Sequence, residues 1–546
     1  MEMITTALVL LLAVVVSGWI SRALPIGVPL PLVQICLGAL IATGADLAVQ
    51  LQPDIFFLLF LPPLLFLDAW HIPKEGLLKD KTMILALAFG LVVFTVLGVG
   101  FFIHWLIPAM PLAVGFALAA ILSPTDPIAV SAIAQRVPVP RRLMNVLSGE
   151  ALLNDASGLV CMRFAVTAVL TGTFSLMAAV STFTWLVVCG VLVGVTVTIA
   201  TTHVKQWMSR RLGAESGSEV LISLLIPFGA YLAAEHLGGS GILAVVAAGI
   251  TMSYTELSGK LVALTRVRRS TVWDMVAFSA NGVIFVLLGE QLPRIVDGAT
   301  QALREAGQHN PMWLIIYVVA INVALIALRL VWTWVSLRFS SFIASRRGQP
   351  SDRPSWRLLL VISLAGVRGT VTLAAVMSLP LFMEDGSLFP VRDLAIFLAA
   401  GVIILSLLIA SICLPFLLKK LQLPQVSTGR REEDRARVAA AQAAITAIEQ
   451  AQHVLAEGRQ DAEMYSEIGA RVMDIYRHRI NGRSGTGDDA EKFRAAERIE
   501  KELRLAGLRA EREEFFRRGR RMGLSDSIVR RLVEEVDLAE ARMTSE

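Results

Sequence analysis

The chain has 546 residues, of which 55% are hydrophobic and only 17% charged, against about 25% charged in a soluble globular domain. That balance excludes an ordinary soluble fold, and the net charge of +5 comes with no nucleic-acid-binding signature. From about Pro424 to Glu546 the chain is dense in Arg, Glu, Asp and Ala, so residues 1–423 are more apolar still, as in a polytopic membrane protein with a soluble tail.

The opening MEMITTALVLLLAVVVSGWI has no Lys or Arg ahead of its apolar run and no small-residue cleavage site after it, so it reads as a first span rather than a removed signal peptide. About 17 to 25 apolar residues cross a bilayer. On that criterion thirteen spans are expected, near residues 4–20, 27–43, 54–71, 82–107, 111–133, 146–170, 181–203, 218–237, 240–256, 273–291, 311–338, 356–380 and 393–418. Lys and Arg accumulate in every second loop: at Arg22, at Lys74, Lys79 and Lys81, at Arg136, Arg141 and Arg142, at Lys205, Arg210 and Arg211, at Lys260, Arg266, Arg268 and Arg269, and from Arg338 to Arg357. The alternate loops hold only Arg294, Arg304 and Arg392, beside Glu290, Asp297, Glu305, Glu384 and Asp385. By the positive-inside rule the N-terminus is expected outside and the tail, entered through Lys419 and Lys420, in the cytoplasm.

Two spans are interrupted. Span five contains Ser123-Pro124-Thr125-Asp126-Pro127, whose prolines remove backbone donors and leave free carbonyls and a carboxylate at mid-membrane depth. Span twelve contains Gly366-Val367-Arg368-Gly369-Thr370, a charge between glycines. Such segments persist only when packed in protein or lining a wet cavity. The two spans run in opposite directions, as inverted repeats require, and paired interrupted helices point to a transporter's binding site. The expected fold is all-α and polytopic, with about thirteen transmembrane helices, inverted repeats, two crossed interrupted helices and a helical cytoplasmic tail.

Acidic residues inside spans are functional candidates, and four qualify: Asp68 in LPPLLFLDAW, Asp126 in SPTDP, and Glu150 and Asp155 in GEALLNDASGLV. Asn154 stands one turn above Glu150 on nearly the same face, while Asp155 projects elsewhere. Asp155 reads either as a hydrogen-bonded polar residue of a helix bundle or as an ion-binding carboxylate, and its polar neighbours beside a helix break favour the second. Glu150 is expected as an ion-pair partner. Arg163 and Arg329, also inside spans, are expected to pair with a carboxylate or carbonyl, since a fixed cation in the pathway would repel a cation. Asn281 is expected to be a satisfied polar residue of the bundle, and Glu235 and Glu290 to be solvated at the outer ends of spans. His71 is expected to be solvated at a loop edge. Cys36, Cys161, Cys189 and Cys413 have no CxxC spacing and read as small buried hydrophobes.

FLPPLLFLDA, SPTDPIAV, GEALLNDASGLV and GVRGTVTLA, in that order on spans three, five, six and twelve, resemble the monovalent cation/proton antiporter family of Na+/H+ exchangers, in its bacterial electroneutral branch with the Asn-Asp motif. The resemblance covers roughly residues 4–420. It implies that Asp155 binds the transported cation or a proton, with Asn154 beside it, and that Thr125 and Asp126 shape the ion site. It also implies that Glu150 pairs with Arg368, that Asp68 sits at the position of the acidic residue of the third span, and that the protein forms a homodimer; Asp68, Arg163 and Arg329 are possible accessory residues, and no cofactor is expected. The chain has Ala151 where relatives often carry Ser, so one hydroxyl of the implied ligand set is missing.

The chemistry of the residues agrees. A carboxylate in a wet cavity is a hard oxygen ligand for Na+, K+ or Li+ and a proton carrier. If the protein switches between inward- and outward-facing states only when a proton or a cation cancels the charge on Asp155, exchange follows without further machinery. With Asn154 in place of a second acid, one charge moves each way, which predicts electroneutral exchange. The reading is therefore a secondary active antiporter of the inner or plasma membrane and not an enzyme, with Na+ placed ahead of K+ and Li+; a tail-gated cation channel and a non-transporting membrane sensor are the rivals.

Residues 424–546 are expected to form several amphipathic helices, with a Gly-rich break at NGRSGTGDD and a helix start at SDS. They read as a small helical domain, or as a regulatory module whose Arg517, Arg518, Arg520 and Arg521 meet an acidic surface. Deletion after about Val426 is expected to leave exchange intact and, in the regulatory case, to shift its pH or ion dependence.

Overall fold

In the computed structural model the described residues are 2–24, 28–44, 53–72, 74, 76, 80–127, 130, 139, 141–172, 176–212, 216–256, 263–305, 310–346, 356–383, 386–419, 427–456, 462–484, 488–522 and 526–544. Lys79, Arg136, Lys260, Arg347, Arg353, Lys420, Glu384 and Asp385, used above to read the topology, lie outside them, as do Val426 and residues 485–487 of the Gly-rich break. The chain divides into two compact units, Met1–Gln422 and Leu423–Glu546.

The first unit is helical apart from a backbone bridge between Phe382 and Leu388. Its helices are α1 (Glu2–Ala23), α2 (Leu30–Gly44), α3 (Pro53–His71), α4 (Lys81–Leu106), α5 (Leu112–Leu122), α6 (Arg141–Thr171) and α7 (Leu176–Leu212). There follow α8 (Ser216–His236), α9 (Gly241–Glu256), α10 (Ala263–Glu305), α11 (Met312–Arg346), α12 (Trp356–Leu364), α13 (Thr370–Met377) and α14 (Arg392–Lys419). Eight described helices, α1, α4, α6, α7, α8, α10, α11 and α14, are long and apolar enough to cross a membrane. The other five expected spans fall on the shorter α2, α3, α5 and α9 and on the broken pair α12–α13. Leu8, Trp105, Leu192, Val323 and Ile412 are exposed, which in water would make a sticky surface and in a bilayer faces lipid.

Without a hydrophobic force between helices in lipid, close packing of small residues holds them together. On α2 and α10 the arrangement is reciprocal: a side chain at Gly38 would strike the Val286 carbonyl, and one at Gly289 would strike the Ile35 carbonyl. Gly194 of α7 lies in the same way against the Ala244 carbonyl of α9. This α2–α10 contact also explains a departure from expectation, because Glu290, placed at a solvated end, is only 3% exposed beneath α2, with Arg294 at 3.8 Å. Cys36 is exposed rather than buried, and all four cysteines are free.

α4 carries an unforeseen π-helical turn at Ala86–Leu91. The wider turn frees backbone carbonyls, and two neighbours take them: Ser157 Oγ of α6 donates to Ala88 O at 2.6 Å and Trp332 Nε1 of α11 to Ala86 O at 3.0 Å.

Among its described residues the second unit has four helices: α15 (Ser427–Ala456), α16 (Ala462–Ser484), α17 (Asp488–Met522) and α18 (Asp526–Thr544). α15 packs on α16 through buried Ala441, Ile445 and Met473. Arg512 of α17 bridges to Asp537 at 2.7 Å and to Glu540 of α18. Arg517 and Arg518, half of the basic face read from the sequence, are both paired with Glu514 of their own helix.

Candidate functional site

The two interrupted segments meet. α5 stops at Leu122, and the non-helical Ser123–Asp126 runs beside Ala365–Gly369 between α12 and α13. Asp126 N donates to Val367 O at 2.7 Å. Three glycines allow the approach: a side chain at Gly369 would overlap the Asp126 carboxylate, one at Gly366 the Arg329 side chain, and one at Gly158 of α6 the ring of Pro124.

Breaking a helix in the membrane leaves unsatisfied backbone groups at its ends, positive at the N-terminus and negative at the C-terminus. Charged side chains answer each sign. The Asp126 carboxylate sits at the start of α13, where Thr370 N donates to its Oδ2 at 3.3 Å. Arg368 serves the end of α5, its Nε donating to Leu122 O at 2.9 Å and its Nη1 to Gly366 O. Arg329 serves the end of α12, with Nε donating to Ile362 O at 3.0 Å.

These positions correct the implied pairing of Glu150 with Arg368. Glu150, fully buried, is held by Arg329 instead, through Nη1 to Oε1 and through Nη2 to Oε2 at 2.7 Å. The reason is geometric: the Arg368 guanidinium is occupied by the carbonyls of its own break, and Arg329 comes from α11 with both terminal nitrogens available. The sequence contained a clue, since Arg329 lies deep in a span with no acid on its own helix and had to find one elsewhere.

Thr125 and Asn154 come together as expected for an assembled site. Asn154 Nδ2 donates to Thr125 Oγ1 at 2.9 Å, Thr125 N donates to Asn154 Oδ1 at 3.5 Å, and Thr125 Oγ1 donates to Glu150 Oε1 at 3.4 Å. The network orients α6 against the break and leaves Asp155 out. Asp155 is 7% exposed and borders a cavity of about 380 Å³. Asp68, His71, Thr125, Asp126, Asn281 and Thr370 share that cavity. Among the described residues neither the Asp155 nor the Asp68 carboxylate forms a hydrogen bond or an ion pair. Ala151 lines the cavity one turn before Asp155, so the site has a methyl group there and no hydroxyl.

A second cavity of about 540 Å³ lies farther along α6, lined by Leu159, Met162, Arg163, Tyr231, Glu235 and Ser378 among others. There Arg163 Nη2 binds Glu235 Oε1 at 3.0 Å, and the same oxygen accepts from Gly241 N at 3.1 Å. Glu235, near the end of α8 and 32% exposed, is solvated as expected and is also the partner expected for Arg163. One helix passes both cavities, with Asp155 bordering the first and Leu159, one turn on, the second.

His71 stacks on Trp70, ring centroids 4.9 Å apart. Asn281 departs from expectation. It borders the first cavity, and its Oδ1 has no partner, which sequence reasoning missed because satisfaction depends on which helix faces it.

Comparison with known proteins agrees with this architecture. The family model described as "Sodium/hydrogen exchanger, transmembrane" matches residues 9–420. The chain is 39% identical to the uncharacterized Na+/H+ exchanger YjcE of Escherichia coli K12, over the whole of both chains. It is 42% identical to a sodium, potassium, lithium and rubidium/H+ antiporter of Bacillus pumilus, over 77% of this chain but only 62% of that relative's length. The solved sodium proton antiporter MjNhaP1 of Methanocaldococcus jannaschii shares the fold, with a TM-score of 0.57 at 18% identity over 77% of this chain and 99% of that one. With two interrupted segments meeting beside an unpaired carboxylate, and a family match that spans nearly the entire first unit, the chain belongs to the sodium/hydrogen exchanger family.

Proposed function

We propose that this protein is a secondary active antiporter, not an enzyme, that exchanges a monovalent alkali cation for H+ at Asp155, one for one, by alternating access. The observation that carries the reading is the difference between the two acids of α6. Glu150 is neutralised by Arg329, whereas Asp155 borders the cavity with no partner among the described residues. A buried charge without a partner is costly, so the carboxylate takes up whichever cation reaches it. A proton and an alkali ion compete for the same oxygen pair. Reorientation is cheap only when one of them is bound, because an empty site would drag a bare charge through a low-dielectric barrier.

The supporting residues have distinct tasks. Thr125, Asn154 and Asp126 place oxygens and fix α6 against the helix break, Asp155 binds the cargo, and Asn154 in place of an acid keeps the moving unit to one titrating charge. Asp68 faces the cargo from α3, which packs mainly against α9, and so stands on another wall. The two cavities along α6 supply an approach on either side of Asp155. The Bacillus pumilus relative's name covers four alkali ions, which supports a cargo class broader than Na+ alone.

The charge asymmetry of the loops supports a plasma or inner membrane location with the N-terminus outside and a cytoplasmic tail; a homodimer is part of the same proposal. The test is a proteoliposome assay with an interior pH dye, challenged with Li+, Na+, K+ and Rb+. The parent should move protons against at least one of them and Asp155→Asn should not. Undiminished exchange by Asp155→Asn excludes this assignment.

A further inference from the structure

Among the described residues four asparagines, Asn145, Asn154, Asn281 and Asn322, lie on membrane helices, and two of them are tied to neighbouring segments. Asn154 binds Thr125, and Asn322 Nδ2 donates to Val402 O at 3.3 Å. Asn281, on α10, differs. The Oδ1 of Asn322 and that of Asn281 are both shielded from solvent without a hydrogen-bond donor, but among the described residues the Asn281 carboxamide forms no hydrogen bond at all. It nevertheless borders the cavity that Asp155 and Asp68 share.

A buried amide oxygen without a partner costs about 1–3 kcal/mol, and such groups in native proteins call for an explanation. Neighbouring protein bonds neither end of this one, and the cavity that Asn281 borders is where a partner can come from. The two ends of a carboxamide exchange places by rotation about the last side-chain bond, so the oxygen reaches the cavity in one rotamer and the nitrogen in the other. The oxygen is a neutral, weak-field ligand, unlike the carboxylates of Asp155 and Asp68. Number and field strength of oxygens determine which alkali ion a site prefers. Carboxylates favour small Li+ and Na+, and a neutral amide oxygen adds most to K+ and Rb+, which shed water readily.

Resting on the antiport reading above, we propose that Asn281 is a cation-specificity residue: its carboxamide oxygen completes the coordination of an alkali ion held between Asp155 and Asp68 and shifts the site toward the larger ions. A residue of α10 would then sense cargo carried on α6.

The experiment compares the parent with Asn281→Ala, Asn281→Asp and Asn281→Gln in two readouts. In proteoliposomes, apparent KM values for Li+, Na+, K+ and Rb+ are measured at one pH; in detergent, the Tm shift produced by each chloride salt is measured against choline chloride. Removing one polar contact should raise KM for K+ and Rb+ by about fivefold relative to Li+, and the K+ and Rb+ Tm shifts should shrink in parallel. Asn281→Asp, with its stronger field, should move the preference to Li+ and Na+. Equal KM ratios across the four ions in all variants, with any loss confined to overall rate, would overturn the proposal and leave Asn281 a packing residue. If Asn281→Ala is not obtained folded, Asn281→Asp and Asn281→Gln decide the matter by the same ratios. A parent that exchanges no cation defeats the antiport reading; the Tm shifts then still judge Asn281, because ligand binding stabilises the folded protein whether or not it is moved.

Discussion

Arg329 and Glu150 form a forked ion pair across α11 and α6, both terminal nitrogens of the guanidinium engaging the carboxylate inside the first unit, with Glu150 at 0% and Arg329 at 2% exposure. The third donor of Arg329, Nε, ends α12 at Ile362 O. One side chain therefore neutralises the structural acid of α6 and finishes one half of a broken helix.

Removing either charge alone should cost about 3–5 kcal/mol, because the survivor is buried without compensation. Glu150→Gln and Arg329→Gln are each expected to lower Tm in detergent sharply, and the double variant to recover much of the loss. Rescue of Glu150→Gln by Arg368→Gln but not by Arg329→Gln would overturn the pairing.

Exchange should be indifferent to membrane voltage. With Glu150 neutralised and Asn154 beside Asp155, one positive charge travels each way, so imposing a potential of either sign across proteoliposomes should leave the initial rate of proton movement unchanged. A rate that follows the potential would require a second moving charge, and Asp68 would be the first residue to test.

Gly369→Ala should impair transport more than its size suggests. The new methyl would overlap the Asp126 carboxylate, and overpacking of this kind costs about 1–3 kcal/mol. Because Asp126 faces the start of α13, the strain falls on the crossing itself. The expected result is a large fall in exchange rate with a modest fall in Tm; Gly172→Ala, in open space on the surface at φ +66, should alter stability alone.

Arg163 and Glu235 are 42% and 32% exposed, so their bond should add less than about 1 kcal/mol to stability. They join α6 to α8, and any sliding of α6 past α8 must part them. Glu235→Gln is expected to leave Tm nearly unchanged while altering the apparent cation affinity measured from one side of the membrane. Identical affinities from both sides, before and after the substitution, would show that the pair has no part in the cycle.

In the second unit, Arg512 holds the Glu540 carboxyl below its ordinary value of 4.5, chiefly by hydrogen bonding. A carboxyl lowered on folding stabilises above its unfolded value, and that contribution fades as pH drops through the folded one. The α17–α18 contact should therefore be indifferent to pH near neutrality and loosen only in acid. Hydrogen exchange of α18 in the full chain, corrected for intrinsic rate, should show protection constant from pH 8 to about pH 5 and falling below it; a change near pH 7 would indicate another titrating group.

Much of this was legible in the chain itself. Apolar length located the spans, proline and glycine located the two breaks, and the acids inside spans named Asp155. What the sequence could not decide was partnership. Two arginines compete for Glu150, and only the positions of α11 and the α12–α13 break show that Arg368 is occupied by carbonyls. Glu290 and Asn281 were misread for the same reason: the cover of α2 over one and the empty neighbourhood of the other depend on helix contacts distant in sequence. The π turn of α4 has no local signature, since its carbonyls are satisfied by Ser157 and Trp332, far along the chain.

That widened turn has a mechanical consequence. A hydroxyl two residues past Asp155 and an indole three residues past Arg329 both anchor to it, so α4, α6 and α11 are riveted at a single level beside Asp155. Helices fastened in this way should travel as one vehicle, so under the proposed exchange the sliding falls to the opposite bank, where Asp68 and Asn281 stand.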